Sequence, residues 1–367
     1  MATPIAPLKI KDGDVIKGRY VVKKKLGEGA CGSVYLVNSV KDQKIKAAMK
    51  AEPFMTSKDD EILKMEIHAL QKIQFSKHVC RTLLAGKTDN FSFLVMTLLG
   101  KELSELRRRV PGRKFSRGTC IKIGIQATQA LCDLHTAGFI HRDVKPDNFA
   151  CDFVQKNLII LFDFGLARQI LVLDENKKPK LREPRTKVAF RGTVRYCSLN
   201  VHQHKEQGRH DDLWGMLFML IELVTGTLPW KGMSRRDSGM KKEKVTDKEL
   251  LEGCPQSFAE LYAALKKMNY YDKPRYAKIR DSFKADLVRV KAKLEDPFEW
   301  ETKEHKDSDE KAKQRDKDEK AEKDETEDTD TGRDAEGSVE SQISQGDDSG
   351  HFNYDAENTL DDVKNKS

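Results

Sequence analysis

The string His141-Arg142-Asp143-Val144-Lys145-Pro146-Asp147-Asn148, followed after a short interval by Asp163-Phe164-Gly165, restricts this chain more than any other feature in it. The first string puts a candidate proton acceptor (Asp143), a phosphate-neutralising cation (Lys145) and a metal-binding amide (Asn148) on one short loop. The second adds a carboxylate, Asp163, beside a flexible glycine. A lone His-Arg-Asp carries little information. The ordered pair points to phosphoryl transfer with a divalent cation.

Three upstream elements fall in the order such chemistry needs. Gly27-Glu28-Gly29-Ala30-Cys31-Gly32-Ser33-Val34 fits Gly-x-Gly-x-x-Gly-x-Val, and glycines let a backbone approach phosphates and turn tightly because no β-carbon intervenes. Alone it serves as well for an ordinary hairpin turn. A dinucleotide fold would have the glycines open a helix, whereas here the β-prone residues 34–37 follow. Ala47-Ala48-Met49-Lys50 places a lysine at the end of an apolar strand pattern. Glu66 then lies on the line Ile62, Glu66, Leu70, along the apolar stripe of a helix. A carboxylate facing inward is costly unless a cation meets it, so Lys50 is its expected partner; the competing reading is a solvated surface glutamate.

Periodicity sets the frame. Residues 20–26 and 33–38 read as a hairpin around the glycines, 44–51 as a third strand and 57–73 as a helix, with two more strands ending at Met96. Helical patterns then dominate: 116–137, 210–225, 257–268 and 276–293. The expected class is α+β, with a small β-rich lobe (18–98) before a larger α-helical lobe (99–300). From Glu301 onward charged, Ser, Thr and Gly residues prevail, and 301–367 is expected to be a disordered acidic tail.

Charge divides the same way. Residues 301–367 carry 23 acidic and 11 basic side chains, leaving +20 on residues 1–300 although the whole chain is only +8. A basic body attracts polyanions, but nucleic acid, phosphoprotein, acidic protein and anionic membrane all answer to that description. The seven cysteines (Cys31, Cys80, Cys120, Cys132, Cys151, Cys197, Cys254) include no Cys-x-x-Cys pair, which argues against a disulfide framework and a zinc module and for a reducing compartment. The start lacks a signal-peptide core, and Ala2 stands where myristoylation needs glycine. The best apolar run, 213–224, is about half a bilayer span and contains Glu222, so it reads as a buried helix. The expectation is a soluble monomer, cytoplasmic with the nucleus open to it, using neither membrane nor specific nucleic acid.

Together these strings resemble the catalytic elements of protein kinases. Arg191-Gly192-Thr193-Val194-Arg195-Tyr196-Cys197-Ser198-Leu199-Asn200 stands where most kinases have Ala-Pro-Glu and is similar to the casein kinase 1 group. Asn148-Phe149-Ala150, Gly208-Arg209-His210-Asp211-Asp212-Leu213-Trp214, Leu228-Pro229-Trp230 and Asp296-Pro297-Phe298-Glu299-Trp300-Glu301 look like the tau-tubulin kinases within it.

The resemblance implies a two-lobed kinase domain over 18–300 that uses ATP and Mg²⁺ to phosphorylate Ser or Thr of proteins. Asp143 and Lys145 would be catalytic. Leu26, Gly27, Gly29, Gly32, Val34, Ala48, Lys50, Glu66, Met96 and Leu99 would form the nucleotide site, with the hinge at 97–99. Asn148 and Asp163 would hold the metal. Asp212 would brace the catalytic loop, and His141 and Phe164 would pack in a buried spine. Thr193 would seat a substrate, acidic or already phosphorylated, whose anion meets Arg195 and a lysine. Lys241, Lys242 and Lys244 compete for the last place, with Lys244 favoured. Tubulin and microtubule-associated proteins are the substrates implied.

Several departures and competing readings accompany this. Cys31 replaces the aromatic usual at the loop tip. Residues 173–187 form a lysine-rich insertion that could alter substrate access, and Arg142 could bind a phosphorylated Thr186. Cys31 and Cys197 read as packing residues ahead of redox sites. Ser338, Ser341 and Ser344, spaced by three, suggest a tail that is phosphorylated in series and inhibits in cis, against an inert polar tail. The competing classes are a pseudokinase scaffold and a nucleic-acid-binding protein.

Overall fold

The computed structural model describes residues 4–29, 32–56 and 62–301. Apolar alternation builds its first sheet: β1 (Val15–Ile16), β2 (Tyr20–Gly29), β3 (Gly32–Ser39), β4 (Lys46–Pro53), then helix α1 (Ile62–Lys72), β5 (Thr82–Lys87) and β6 (Phe91–Thr97). The strand order is β1-β2-β3-β4-β6-β5, each pair antiparallel. Val22, Tyr35, Val37, Ala47, Met49, Ala51, Phe93 and Val95 fill the core on one face. Strand residues alternate sides, so Val34, Leu36, Ala48 and Lys50 belong to the other face. The glycine hairpin zips further than expected, to Gly29 opposite Gly32. The third strand starts later than expected, at Lys46, because Asp42 closes a turn by accepting from Lys44 N (2.9 Å) and Ile45 N (3.0 Å).

Helices dominate after β7 (Leu99–Glu102). The chain runs through α2 (Leu103–Arg108), α3 (Arg117–Thr136), β8 (Phe139–Ile140), β9 (Phe149–Asp152), β10 (Ile159–Leu161), β11 (Arg168–Gln169), β12 (Leu171–Leu173) and β13 (Pro179–Leu181). It continues with α4 (Leu199–His202), α5 (Arg209–Thr225), α6 (Arg235–Lys244), α7 (Asp247–Leu251), α8 (Gln256–Leu265) and α9 (Tyr276–Arg289). α5 is buried nearly all round and packs on α3 and α8; α3 in turn packs on α9. Ser116 caps α3 by accepting from Thr119 N (3.2 Å). No helix among the described residues is long and apolar enough to cross a membrane.

Two short ladders position the site. β8 pairs with β11 (Ile140 opposite Arg168), and β9 pairs with β10 (Phe149 opposite Leu161). They clamp the loop 141–148 against the segment 162–167 at both ends, and Phe162 N adds a bond to Asn148 O (3.0 Å). The His141–Asn148 loop and the Asp163-Phe164-Gly165 string therefore face each other, with His141 Nε2 3.1 Å from Phe162 O. The lysine-rich insertion opens as the hairpin β12–β13, its turn held by Asp174 Oδ1 accepting from Asn176 N and Lys178 N.

Residues from Pro297 belong to a second unit, in which Glu299–Glu301 form a 3₁₀ turn and the Phe298 and Trp300 rings stack at 4.4 Å. The disordered-tail and serial-phosphorylation expectations fall on 302–367, outside the described residues, as does the Cys31 question.

Candidate active site

The upper wall starts with three glycines that differ in kind. A β-carbon on Gly27 or Gly29 would meet nothing within 4 Å, whereas on Gly32 (φ +128°) it would lie 2.2 Å from Ala51 O. Gly32 is demanded by packing of β3 on β4. Gly27 and Gly29 leave open space that a ligand's phosphates can use. On the outward face of the sheet Val34 stands opposite Lys50, and Ala48 opposite Met96. Ala48 is buried, Val34, Met96 and Leu99 are half-buried, and Leu26 is exposed. These residues offer an apolar surface beside the lysine.

Lys50 Nζ lies 2.6 Å from Glu66 Oε2 and 2.9 Å from Asp163 Oδ1. Burial alone would make the ammonium easier to deprotonate, but Glu66 and Asp163 hold its pKa above the ordinary lysine range. Glu52, two residues along β4 from Lys50, accepts from Ile62 N (2.9 Å) and Leu63 N (3.0 Å) and so fixes the end of α1 from which Glu66 projects inward. Asp163 is left-handed (φ 60°, ψ 74°), a strained state for a non-glycine residue. Burial opposes its ionisation, yet Lys50 pulls its carboxyl below the ordinary range. Next to it, a β-carbon on Gly165 would sit 2.7 Å from Ile62 Cγ2, so α1 packs directly on this segment. Phe164 is buried with its ring 5.3 Å from that of His141.

The lower wall hangs on Asp212, in the first turn of α5. Its Oδ2 accepts from His141 N (2.7 Å) and His135 Nε2 (2.8 Å), and its Oδ1 from Arg142 N (2.8 Å). Burial would raise its pKa, but these donors, His135 first, hold it below the carboxylate range. Arg142 is left-handed (φ 68°), and a β-carbon on Gly192 would come within 2.5 Å of Arg142 O. The segment carrying Thr193 is therefore pressed onto the loop. Thr193 Oγ1 donates to Asp143 Oδ1 (2.7 Å), and Lys145 Nζ sits 2.7 Å from Asp143 Oδ2 and 3.3 Å from Thr193 Oγ1. Asn148 Nδ2 donates to Asp143 O (2.8 Å). That orients the amide and leaves its oxygen available.

This donor set fits magnesium. Asn148 and Asp163 would offer hard oxygen ligands, and among the described residues no cluster of three His, Cys, Asp or Glu could hold a metal unaided. A magnesium ion here would draw its remaining ligands from phosphate oxygens and water. The open space at Gly27 and Gly29, two strands from the one that carries Lys50, fits the polyphosphate that would supply them.

The residues expected to bind a substrate anion lie in different surroundings. Arg195 Nη1 is 3.3 Å from Glu222 Oε1, while Arg107 Nη1 is 2.9 Å from Glu222 Oε2. Lys244 is exposed at the end of α6. Lys241 pairs with Glu249 at 2.6 Å. Lys242 is the one that reaches the Thr193 segment, donating to Val194 O and Cys197 O (2.7 Å each). Its ammonium thus supports backbone from beneath.

A second basic group surrounds Arg142, whose pKa is pushed down to about 10 by burial and by Arg168 and Arg191. Glu206 answers it, holding Arg185 through Nε (2.6 Å) and Nη2 (3.2 Å) and lying 3.7 Å from Arg168. Glu52, Glu206 and His135 are positioning groups the sequence reading missed, since nothing in their spacing marks them. Glu222 did leave a signal, as a lone carboxylate in an apolar helical run.

Residues 20–281 match the protein kinase domain family. A probable serine/threonine-protein kinase of Dictyostelium discoideum is 38% identical over 293 residues, 79% of this chain and 58% of its own length. This chain thus spans little more than half of that relative. The serine/threonine-protein kinase spe-6 of Caenorhabditis elegans is 32% identical over 297 residues, 78% of this chain and 76% of its own. The inactive tau-tubulin kinase ttbk-6 of the same nematode is 36% identical over 252 residues, 65% of this chain and 87% of its own. With a sheet lobe and a helical lobe and its acidic and basic groups set as described, this chain belongs to the protein kinase family.

Proposed function

We propose that the chain transfers the γ-phosphoryl group of ATP to serine or threonine hydroxyls of proteins. The kinase domain would cover 18–300 and the acidic tail 301–367. The observation that carries this reading is the Thr193 hydroxyl, which already donates to Asp143 Oδ1 while Lys145 holds Oδ2. A substrate hydroxyl in that place would be oriented by Asp143, which can accept its proton, with the Lys145 charge beside the transferred group. Bound ATP with magnesium supplies the phosphoryl group and offsets the charge on its oxygens. Gly27, Gly29 and Gly32 would cover the phosphates, and Lys50, steadied by Glu66, would hold them. Leu26, Val34, Ala48, Met96 and Leu99 would enclose the base, and Asn148 and Asp163 would face the metal.

The substrate class follows from Arg195, the partly exposed cation next to Thr193. Acidic or pre-phosphorylated proteins suit it, and the tau-tubulin relative suggests tubulin or microtubule-associated proteins. Purified full chain should label an acidic peptide from labelled ATP and magnesium, and Asp163→Ala should not. Nucleotide binding without transfer by the wild type would replace this reading with that of a pseudokinase scaffold.

A further inference from the structure

A fully buried chain of polar groups runs from α9 to the catalytic loop. Tyr276, the first residue of α9, is 6% exposed, and its hydroxyl lies 2.6 Å from His135 Nδ1 near the end of α3. The other ring nitrogen, Nε2, is 2.8 Å from Asp212 Oδ2, the same oxygen that accepts from His141 N. The ring centroids of His135 and Tyr276 are 5.8 Å apart.

Proton placement along this chain follows from donor and acceptor capacity. An ionised Asp212 only accepts, so Nε2 must carry a hydrogen toward it. In a neutral imidazole Nδ1 is then an acceptor, and the Tyr276 hydroxyl is its donor. Burial holds the phenol above its ordinary pKa range, so it keeps that proton. Remove the hydroxyl and Nδ1 is left without its donor in a buried site, free to exchange tautomer or turn. Either change withdraws a hydrogen bond from Asp212, the carboxylate that holds Arg142 in its left-handed backbone state one residue before Asp143.

We infer that Tyr276 is a positioning residue for Asp143, acting through the His135 ring and Asp212 to hold the catalytic loop. It touches neither nucleotide nor acceptor, so its loss should lower turnover without weakening binding.

The rate measurement rests on the kinase reading above, whereas the tautomer measurement does not. In the full chain, Tyr276→Phe should lower kcat roughly three- to tenfold, as small misplacements of catalytic groups do, while KM for ATP and for peptide stays within about twofold. An unchanged kcat in the folded fraction, with only the melting temperature lowered, would overturn the inference. His135→Phe should lower kcat in its own right, and adding Tyr276→Phe to it should cost nothing more, because the hydroxyl works only through that ring; multiplied losses would also overturn it. For ¹⁵N-labelled wild type, which needs no variant to fold, the His135 signals should report hydrogen on Nε2 and a bare Nδ1. The opposite tautomer would end the proposal, and absence of any kinase activity beside the expected tautomer would indict the enzymatic reading instead.

Discussion

Two charge-centred clusters hold the site, one around the Lys50 ammonium and one around the Asp212 carboxylate, and they are built in opposite ways. At Lys50 the partners are side chains: Glu66 from a helix and Asp163 from a loop, 2.6 and 2.9 Å from one ammonium. At Asp212 the donors are two backbone N–H groups and one imidazole around a buried carboxylate. Side-chain ion pairs can trade partners, as this cluster would have to do on meeting a nucleotide and a metal. Backbone bonds to a buried acid cannot be traded, and they suit a loop whose geometry must survive each turnover. The upper cluster is thus organised for exchange and the lower one for permanence.

The largest effect should come from the group the lower cluster exists to aim. Asp143→Asn keeps the shape, and its amide can still meet Thr193, but it removes the proton acceptor. The expected loss in kcat is on the order of a thousandfold, with KM for ATP and the melting temperature little changed. Steady-state kinetics and thermal unfolding on the same sample check this. A loss of only a few-fold would mean that Asp143 orients the loop without handling the proton.

The next prediction strikes the upper cluster. Lys50→Met leaves Glu66 buried beside Asp163 with no cation, and breaking a buried pair from one side typically costs about 3–5 kcal/mol. Burial then acts to raise the Glu66 pKa without Lys50 to oppose it. Replacing both partners, Lys50→Met with Glu66→Leu, should restore most of the stability and none of the activity. Denaturant unfolding of the three proteins separates the two roles. If the double variant is as unstable as the single one, the cost lies in packing and the ion pair is not the cause.

Asp212→Asn tests permanence. An amide nitrogen cannot accept from the surrounding N–H groups, so one donor is left unsatisfied. A fall in kcat of roughly a hundredfold is expected, with KM for ATP unchanged. Its stability effect should also depend on pH. The folded Asp212 pKa lies below that of the unfolded chain, near 3.9 for an unperturbed aspartate. The unfolded state therefore binds more protons in that window, and the ionised carboxylate's contribution is fully present above about pH 5 and is lost as pH falls below about 4. The stability gap between wild type and Asp212→Asn should narrow across that interval. A gap that does not change with pH would assign the effect to shape alone.

How much of this was legible beforehand follows from the same contrast. Lys50, Glu66, Asp143, Lys145, Asn148 and Asp163 could be read because each sits in a string whose spacing reflects its chemistry, and Glu66 also faces the wrong way for a surface residue. His135, Glu52 and Glu206 could not, because their partners come from distant elements and their neighbours in sequence are unremarkable. The short ladders β8–β11 and β9–β10 were missed too. Strands of two to four residues carry no readable alternation, yet they bring the two catalytic strings together. Helix α6 escaped for a different reason: it is so polar that no apolar stripe marks it, and its start depends on Ser234 Oγ accepting from Asp237 N.

The smallest effects should come from the glycine hairpin, where permanence and exchange meet within a few residues. Gly32 has φ +128° and would drive a β-carbon to 2.2 Å from Ala51 O. Gly32→Ala must therefore move β3 off β4 or strain both, at a cost of about 1–3 kcal/mol. Gly29 has no such conflict, since its β-carbon would meet nothing within 4 Å. Gly29→Ala should leave stability unchanged or raise it by about 0.4–1 kcal/mol through the unfolded chain. Its added methyl stands where phosphates would approach, so KM for ATP should rise while the fold is untouched. Measuring unfolding and KM for both variants makes a two-by-two comparison. If Gly29→Ala loses stability without changing KM, the open space at that glycine is unrelated to the nucleotide, and the hairpin belongs wholly to the permanent frame.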